Sequence, residues 1–405
     1  MTTILLSHPH ANTVANRTAA ALARVDMLST YITGVAAAGA GSGADLLRWV
    51  GRSFPVARNR IVPDLDPRRL RSLAAVELCA RMVARAARPA KSLRLSVYEA
   101  IFTTHDAAVS LIPWPSGIDA VYGYEDAALF TFERAARRNI ERIWDLPIPH
   151  YRALDRMWIE EARRWPGAMG AQAPTTPRWK ARRKDREMAL ANRIVVPSSY
   201  TAQSVLEAGT STPIITLPFG FPLEDFPART GGWADERPFT AIAVGTQDVR
   251  KGIPYLLEAW KAAALKGGKL RLIGQMKLAR PFLQRYAGLF EHEPHVPRAE
   301  LAREYAAADV VVLPTLGDGC AQAMQEAMCC GTPVITTPCG SGPDLITHDR
   351  DGWLVPERDV DALVTLIRAL ARDRDRVRAA GRAARQRAES WTWKEAGKAI
   401  SVALR

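Results

Sequence analysis

The stretch PTLGDGCAQAMQEAMCCGTPVITTPCG, Pro314 to Gly340, decides how the chain is read. It follows the apolar run DVVVLP (Asp309 to Pro314), so a strand ends at Pro314. A Gly-rich loop carries Asp318, and a helix opens near Ala321 and is stopped by Gly331. PVITT (Pro333 to Thr337) then supplies the next strand. Strand, loop, helix and strand in this order form a parallel βαβ unit, whose ligands sit beyond the carboxyl ends of the strands. Free N–H groups at the helix start favour a phosphate there, and Gly319, Cys320 and Ala321 are small enough for close approach. Gln322 and Ala323 open the helix, and Glu326 lies one turn further on. Its side chain tilts back towards the same ligand, where it can accept hydrogen bonds from a ribose diol while Asp318 holds hydroxyls at the other end.

Working outward, the second half repeats the pattern. FTAIAV (Phe239 to Val244) precedes a helical stretch Ile253 to Ala264, KLRLIG (Lys269 to Gly274) precedes Arg280 to Gly288, and GWLV (Gly352 to Val355) precedes Val360 to Arg372. β-Branched strands separated by helices predict an α/β domain with a parallel sheet covered on both faces. In the first half TILL (Thr3 to Leu6), DAVY (Asp119 to Tyr122), ERIW (Glu141 to Trp144), RIVVP (Arg193 to Pro197) and PIITLP (Pro213 to Pro218) predict a second such sheet. Helical stretches are expected at Val14 to Arg24 and Ala127 to Arg138. The Pro- and Gly-rich segment between Pro218 and Pro238 suits a hinge, which sets domains at residues 1–218 and 219–389.

Composition agrees with two globular domains: 405 residues, 48% hydrophobic and 24% charged. No apolar run approaches the roughly 20 residues of a membrane span, and Met1 to His10 lacks a basic flank, so a cytoplasmic protein is expected. Five cysteines, an odd number, argue against a disulfide framework. Cys320, Cys329, Cys330 and Cys339 lack zinc-pair spacing and read as small buried thiols. Residues 1–200 hold 29 basic and 18 acidic side chains, a balance of +11 out of the chain's +13. Such asymmetry points to an anionic partner of the first half: an acidic substrate, a membrane surface or nucleic acid. Arg68, Arg69 and Arg71, then Arg81, Arg85, Arg88, Lys91 and Arg94, surround LAAVELCARMVA (Leu73 to Ala84), which reads as a basic amphipathic helix or a solvated face. RWKARRKDR (Arg178 to Arg186) reads as a surface run before a helix; without an aromatic platform it argues against nucleic acid.

Two carboxylates eight positions apart, followed by a small-residue helix, Gly, Pro, Val and Ile, resemble the signature of the GT-B glycosyltransferases, specifically the retaining family 4 (glycosyl transferases group 1). Asp318, Gly319, Glu326, Ala327, Gly331, Pro333, Val334 and Ile335 stand in register with it. AVGTQDVRKGIPYLLEAW (Ala243 to Trp260) resembles the family's donor-phosphate loop, with Gly245, Thr246, Arg250 and Lys251 at its binding positions. SWTWKEAGKAI (Ser390 to Ile400) is similar to its last helix, which returns to the first domain, so that residues 390–405 complete it. The resemblance covers the chain from about residue 190 onward and thins before that.

What the resemblance implies is a metal-independent, retaining transfer of a sugar from a nucleotide donor to a glycan, lipid-linked or small-molecule acceptor, without a cofactor. Lys251, Arg250 and the helix start at Cys320 to Ala323 would neutralise the leaving diphosphate. Glu326 would hold the ribose and Asp318 the sugar. Thr246 stands where the family usually has arginine, and Asp318 where it usually has glutamate. In the first domain the family's Gly-Gly loop is replaced by SHPHANT (Ser7 to Thr13), where His8 or His10 could supply polar contacts. The family's histidine has Asp145 and His150 as candidates. Two other functions suit the same residues: a non-catalytic nucleotide-sugar binding protein, or another enzyme of this fold such as an epimerase.

Overall fold

The computed structural model describes residues 2–39, 43, 45–47, 60–62, 64–86, 97–169, 175–229 and 237–404. The strands of the first half are β1 (Ile4–His8), β2 (Leu28–Thr33), the short pair β3 (Ala37–Ala38) and β4 (Ile61–Val62), β5 (Leu70–Ser72), β6 (Ala120–Tyr124), β7 (Glu141–Asp145), β8 (Arg193–Val196) and β9 (Ile214–Thr216). Seven of them form one sheet in the order β5-β2-β1-β6-β7-β8-β9, every neighbour parallel. The second half contributes β10 (Thr240–Val244), β11 (Lys269–Ile273), β12 (Glu291–Glu293), β13 (Val310–Leu313), β14 (Val334–Thr336) and β15 (Gly352–Leu354). These make a parallel sheet in the order β12-β11-β10-β13-β14-β15.

The continuous apolar strands have the physical cause the sequence suggested. On β13, Val310 and Val312 pack into the core on one face of the second sheet, while Val311 and Leu313 pack into the core on the other. β1 divides the same way, with Ile4 and Leu6 on one face and Leu5 on the other. A strand buried on both faces has no polar side to show, hence no alternation in its sequence.

Five strands lie outside the sequence expectations: β2, the short pair β3 and β4, β5 and β12. The β12 residues Glu291, His292 and Glu293 are all exposed at a sheet edge, so no apolar pattern marks them. The expected helix over Arg280 to Gly288 stops at Leu283 and tightens into a 3-10 turn over Gln284–Tyr286.

The chain passes between the sheets twice. Residues 217–221 leave the first sheet, and Trp391 hydrogen-bonds that segment from the other side: its carbonyl accepts from Phe221 N at 2.9 Å and its indole donates to Pro218 O at 3.2 Å. Residues 230–236 of the expected hinge lie outside the described residues. The helix Trp393–Ala403 returns to the helix Thr13–Arg24, where a Cβ on Gly397 would stand 2.9 Å from Ala21 Cβ. Ile400 and Leu404 then join the core of the first sheet.

Another element links the halves. The helix Tyr151–Arg164 and the residues after it place Met157 and Ala168 in the core of the second sheet. Its Glu161, fully buried, accepts hydrogen bonds from Tyr255 Oη and Arg358 Nε, both at 2.7 Å.

The basic run Arg178 to Arg186 lies at the surface only in part, with Arg178, Arg182 and Arg186 exposed, and it does not precede a helix. It begins the helix Arg178–Leu190, and two of its cations are interior. Arg183 pairs with Asp106 and with Glu187, the latter at 3.2 Å, and Lys184 pairs with Glu125 at 2.5 Å. Arg88, Lys91 and Arg94 lie outside the described residues. Among the described residues no helix is long and apolar enough to cross a membrane.

Candidate functional site

Backbone packing brings the two motifs of the second half together. After β10 the chain turns at Gly245, whose φ of +124° suits glycine. Gln247 ties this turn to the sheet, its amide donating to Gly245 O at 2.8 Å and Ile273 O at 2.9 Å. Asp248 Oδ1 then accepts from Lys251 N at 2.8 Å, which fixes the loop carrying Arg250 and Lys251. Gly252, at φ +71°, passes so close to β13's exit that a Cβ would lie 1.8 Å from Pro314 O. Leu316 N donates to Arg250 O at 2.8 Å, and the Arg250 guanidinium donates to Gly317 O at 2.8 Å. From this loop the Lys251 side chain reaches Asp318.

The Lys251 ammonium and the Asp318 carboxylate form an ion pair, with Arg250 Nη1 3.7 Å from Asp318 Oδ1. Burial by itself would raise the Asp318 pKa. The charges of Lys251 and Arg250, with hydrogen bonds from Lys251 and from Gly319 N, outweigh it and hold the carboxyl below its ordinary value. Asp318 is therefore an anion across the physiological range.

The helix beyond it, Gln322–Cys329, starts at Ala321 with no side-chain cap, so its first N–H groups are available to an anion. Glu326 on that helix is buried. Its Oε1 accepts from Arg298 at 2.5 Å and its Oε2 from Tyr305 Oη at 2.9 Å. A pocket beside it is lined by Gln322, Gln325, Arg298, Arg17, Phe219 and Trp393, so it draws on both halves of the chain. Cys320 is buried and its thiol is pushed up to about 12 by that burial, which leaves it neutral and unreactive. The other three clustered cysteines are also buried and unbridged.

The loop around Asp318 is also where the two halves touch. A Cβ on Gly319 would stand 1.8 Å from Pro147 O, and one on Gly317 would stand 3.0 Å from Leu154. Tyr200 Oη donates to Leu316 O at 3.2 Å.

The sequence candidates therefore fall into groups. Arg250, Lys251, Asp318 and Gly319 meet; Cys320, Ala321, Gln322, Ala323 and Glu326 continue from them along one helix; Gly245 and Thr246 form the turn after β10. Asp145 and His150 are not part of this cluster. Asp145 ends β7 buried, accepts from Tyr122 Oη at 2.6 Å, and lines an apolar cavity under the last helix with Phe219, Trp393 and Gly397. Burial lifts its pKa to about 7 against the Tyr122 hydrogen bond. His150 has no exposed surface; it caps the helix Tyr151–Arg164, its Nδ1 accepting from Arg152 N at 3.4 Å. His8, buried and held at about 3 by that burial, binds the backbone of His10. Arg298, Tyr305, Arg17 and Trp393 were not candidates, because a single sequence gives no sign that residues so far apart converge on Glu326.

The whole chain superposes on the sucrose-phosphate synthase of Thermosynechococcus elongatus with a TM-score of 0.65, covering 100% of this chain and 98% of that one at 18% identity. Anabaena HepE in complex with UDP and glucose gives 0.63, covering 100% and 99% at 12% identity. The fold is GT-B. Within this GT-B chain, residues 238–373 match the model of the family described as Glycosyl transferases group 1. Curated relatives align over shorter stretches. The sulfoquinovosyl transferase of Arabidopsis thaliana is 29% identical over 184 residues, 44% of this chain and 35% of that protein. The amylovoran biosynthesis glycosyltransferase AmsK of Erwinia amylovora is 30% identical over 151 residues, 33% of this chain and 36% of that protein. The GT-B chain thus spans about a third of the length of these relatives.

Proposed function

We propose that this protein is a retaining, metal-independent glycosyltransferase of family 4, taking its sugar from a nucleotide donor. The observation that carries the proposal is the convergence of Lys251, Arg250 and Asp318 beside an uncapped helix start, with Glu326 one turn along the same helix. A diphosphate seated at the helix start would meet the N–H groups and the two cations, and Glu326 would accept from the ribose. The family match over residues 238–373 and the glycosyltransferase names of the relatives support the donor class. HepE, of the same fold, is recorded with UDP and glucose.

In this transfer the anomeric C–O bond to the diphosphate breaks and a new C–O bond forms to an acceptor hydroxyl on the same face. The hydroxyl proton passes to the leaving phosphate oxygen. Lys251 and Arg250 neutralise the charge that develops on that oxygen, the task a divalent cation performs in other transferases. Asp318, kept ionised by its neighbours, orients sugar hydroxyls. The acceptor enters from the first domain, residues 1–218 with the returning helix, and the amylovoran biosynthesis in AmsK's name supports a glycan or lipid-linked acceptor. The basic excess of that domain favours work at the inner face of an anionic membrane.

The test is nucleoside diphosphate release from a panel of UDP-, GDP- and ADP-sugars, with and without EDTA, following the anomer first released by NMR. One donor should be consumed slowly without acceptor, unaffected by chelation, with retained configuration. Binding without release would favour a nucleotide-sugar sensor, and activity restored to the chelated enzyme by Mn²⁺ would assign a metal-dependent mechanism. If no nucleotide binds at all, the donor site has been misassigned.

A further inference from the structure

A second, larger cavity of about 430 Å³ opens at the carboxyl ends of β1, β6 and β7. Its lining residues Pro147 and Leu154 are the ones that press on Gly319 and Gly317, so it borders the loop of Asp318. Its walls are aromatic: Tyr98 stacks on Phe102 with ring centroids 3.9 Å apart, and Trp158 and Tyr124 also face it.

The charge in this cavity runs opposite to that of the domain. Of the first half's 29 basic residues, Lys180 and Lys184 line it, against Glu99, Glu125, Asp126 and Asp155. Both lysines are committed to those carboxylates. Lys184 Nζ lies 2.5 Å from Glu125 and 3.4 Å from Asp126, and Lys180 Nζ lies 3.1 Å from Asp126 and 3.7 Å from Glu99. A phosphate entering here would meet a net negative wall with its cations already neutralised, which is unfavourable at low local dielectric. An uncharged polyhydroxylated ring meets what it can use. Its hydroxyls donate to carboxylates and accept from ammonium groups, and its apolar face lies on aromatic rings.

We infer that this cavity is the acceptor subsite and that it takes an uncharged sugar ring, so that any anionic group on the acceptor lies outside it. The inference rests on the transferase assignment and deepens it by naming the acceptor class. It also separates two roles of the first domain: the basic excess belongs to the surface, and the cavity selects for hydroxyl groups.

The full chain, saturated with whichever of UDP and GDP it binds, is examined by saturation-transfer difference NMR. The probes are methyl glucoside, methyl mannoside and methyl galactoside against the matching hexose 6-phosphates. At least one neutral glycoside should give a signal and the hexose 6-phosphates none. Tyr98→Ala, at a side chain 47% exposed and therefore safe for folding, should reduce the signal at least fivefold with nucleotide affinity unchanged within twofold. Glu125→Gln removes one negative charge and frees Lys184 of its nearer partner, so it should weaken the exclusion of hexose 6-phosphates and give them a measurable signal. Phosphorylated sugars binding the parent as well as neutral ones, a signal indifferent to Tyr98→Ala, or no glycoside signal in protein that binds nucleotide would each overturn the inference. Failure of both nucleotides to bind would overturn the donor assignment instead.

Discussion

Lys251 and Asp318 neutralise each other across the loop, so a diphosphate must draw the ammonium partly away from its carboxylate partner. Arg250, 3.7 Å from Asp318, is placed to take over that pairing. Lys251→Ala should therefore weaken nucleoside diphosphate binding tenfold to a hundredfold, the equivalent of one charged hydrogen bond of about 1.5–3 kcal/mol. Transfer should be nearly abolished with the fold intact. Glu326→Ala should lose affinity and transfer likewise by removing the acceptor proposed for the ribose, at some cost in stability because Arg298 and the buried Tyr305 lose theirs as well. Calorimetric titration and turnover on both variants check this, and parent-like values in both would rule out the donor site. His150 makes the opposite case. As a buried helix cap it should cost about 1 kcal/mol of stability when changed to Ala, read as a shifted denaturation midpoint. Nucleotide affinity and turnover should stay within twofold; a hundredfold loss of turnover in a folded variant would return His150 to the chemistry.

At the scale of elements, β7 and the last helix share a buried acid. Asp145 has a folded pKa of about 7 against an ordinary 3.8, raised by burial beneath Trp393 and Gly397 and beside Tyr122 and Tyr124. A raised acid pKa stabilises the fold only while the group is protonated: the contribution is full below about pH 4 and is lost as pH rises towards 7. Asp145→Asn should remove that loss, on the order of 4 kcal/mol at most, so the variant gains on the parent between about pH 4 and 7 in urea denaturation, with a constant difference above. Equal pH profiles would show that Asp145 is ionised in the fold. The same scale shows what the sequence could reveal. β10, β13 and β14 were readable because burial on both faces forces β-branched runs, and the loop at Asp318 because its glycines and carboxylates are local. The helix Arg178–Leu190 was not, since Arg183 and Lys184 are neutralised by Asp106 and Glu125, acids more than fifty residues away. Nor was the seating of Met157 in the second domain's core, a tertiary contact without a periodic signature.

For the whole molecule, the question is where the first half's charge of +11 acts, given that the acceptor cavity does not use it. The helix Ala74–Ala86 turns Glu77 inward, 2% exposed and paired with Arg60 at 3.0 Å and Arg81 at 2.6 Å. Outward it shows Leu78, Met82 and Val83, at 53%, 71% and 67% exposure. An apolar stripe facing solvent, with Arg68 and Arg71 before it and Arg85 and Arg88 following in the sequence, has the chemistry of an interfacial helix on an anionic bilayer. Each basic residue near such a surface contributes about 1 kcal/mol, fading beyond roughly 8 Å, and each buried apolar side chain contributes about 1.5–3 kcal/mol. The protein should therefore co-sediment with vesicles containing anionic lipid and not with neutral ones, and added salt should release it. Leu78→Ser with Met82→Ser should abolish the association, while Arg85→Ser with Arg88→Ser should weaken it and flatten its salt dependence. Arg81 is spared in these variants because it neutralises Glu77. Nucleotide affinity should be untouched throughout, since Leu78 and Met82 line neither the Glu326 pocket nor the loop that holds Lys251. Equal binding to neutral and anionic vesicles, or none to either, would leave the charge without a membrane role.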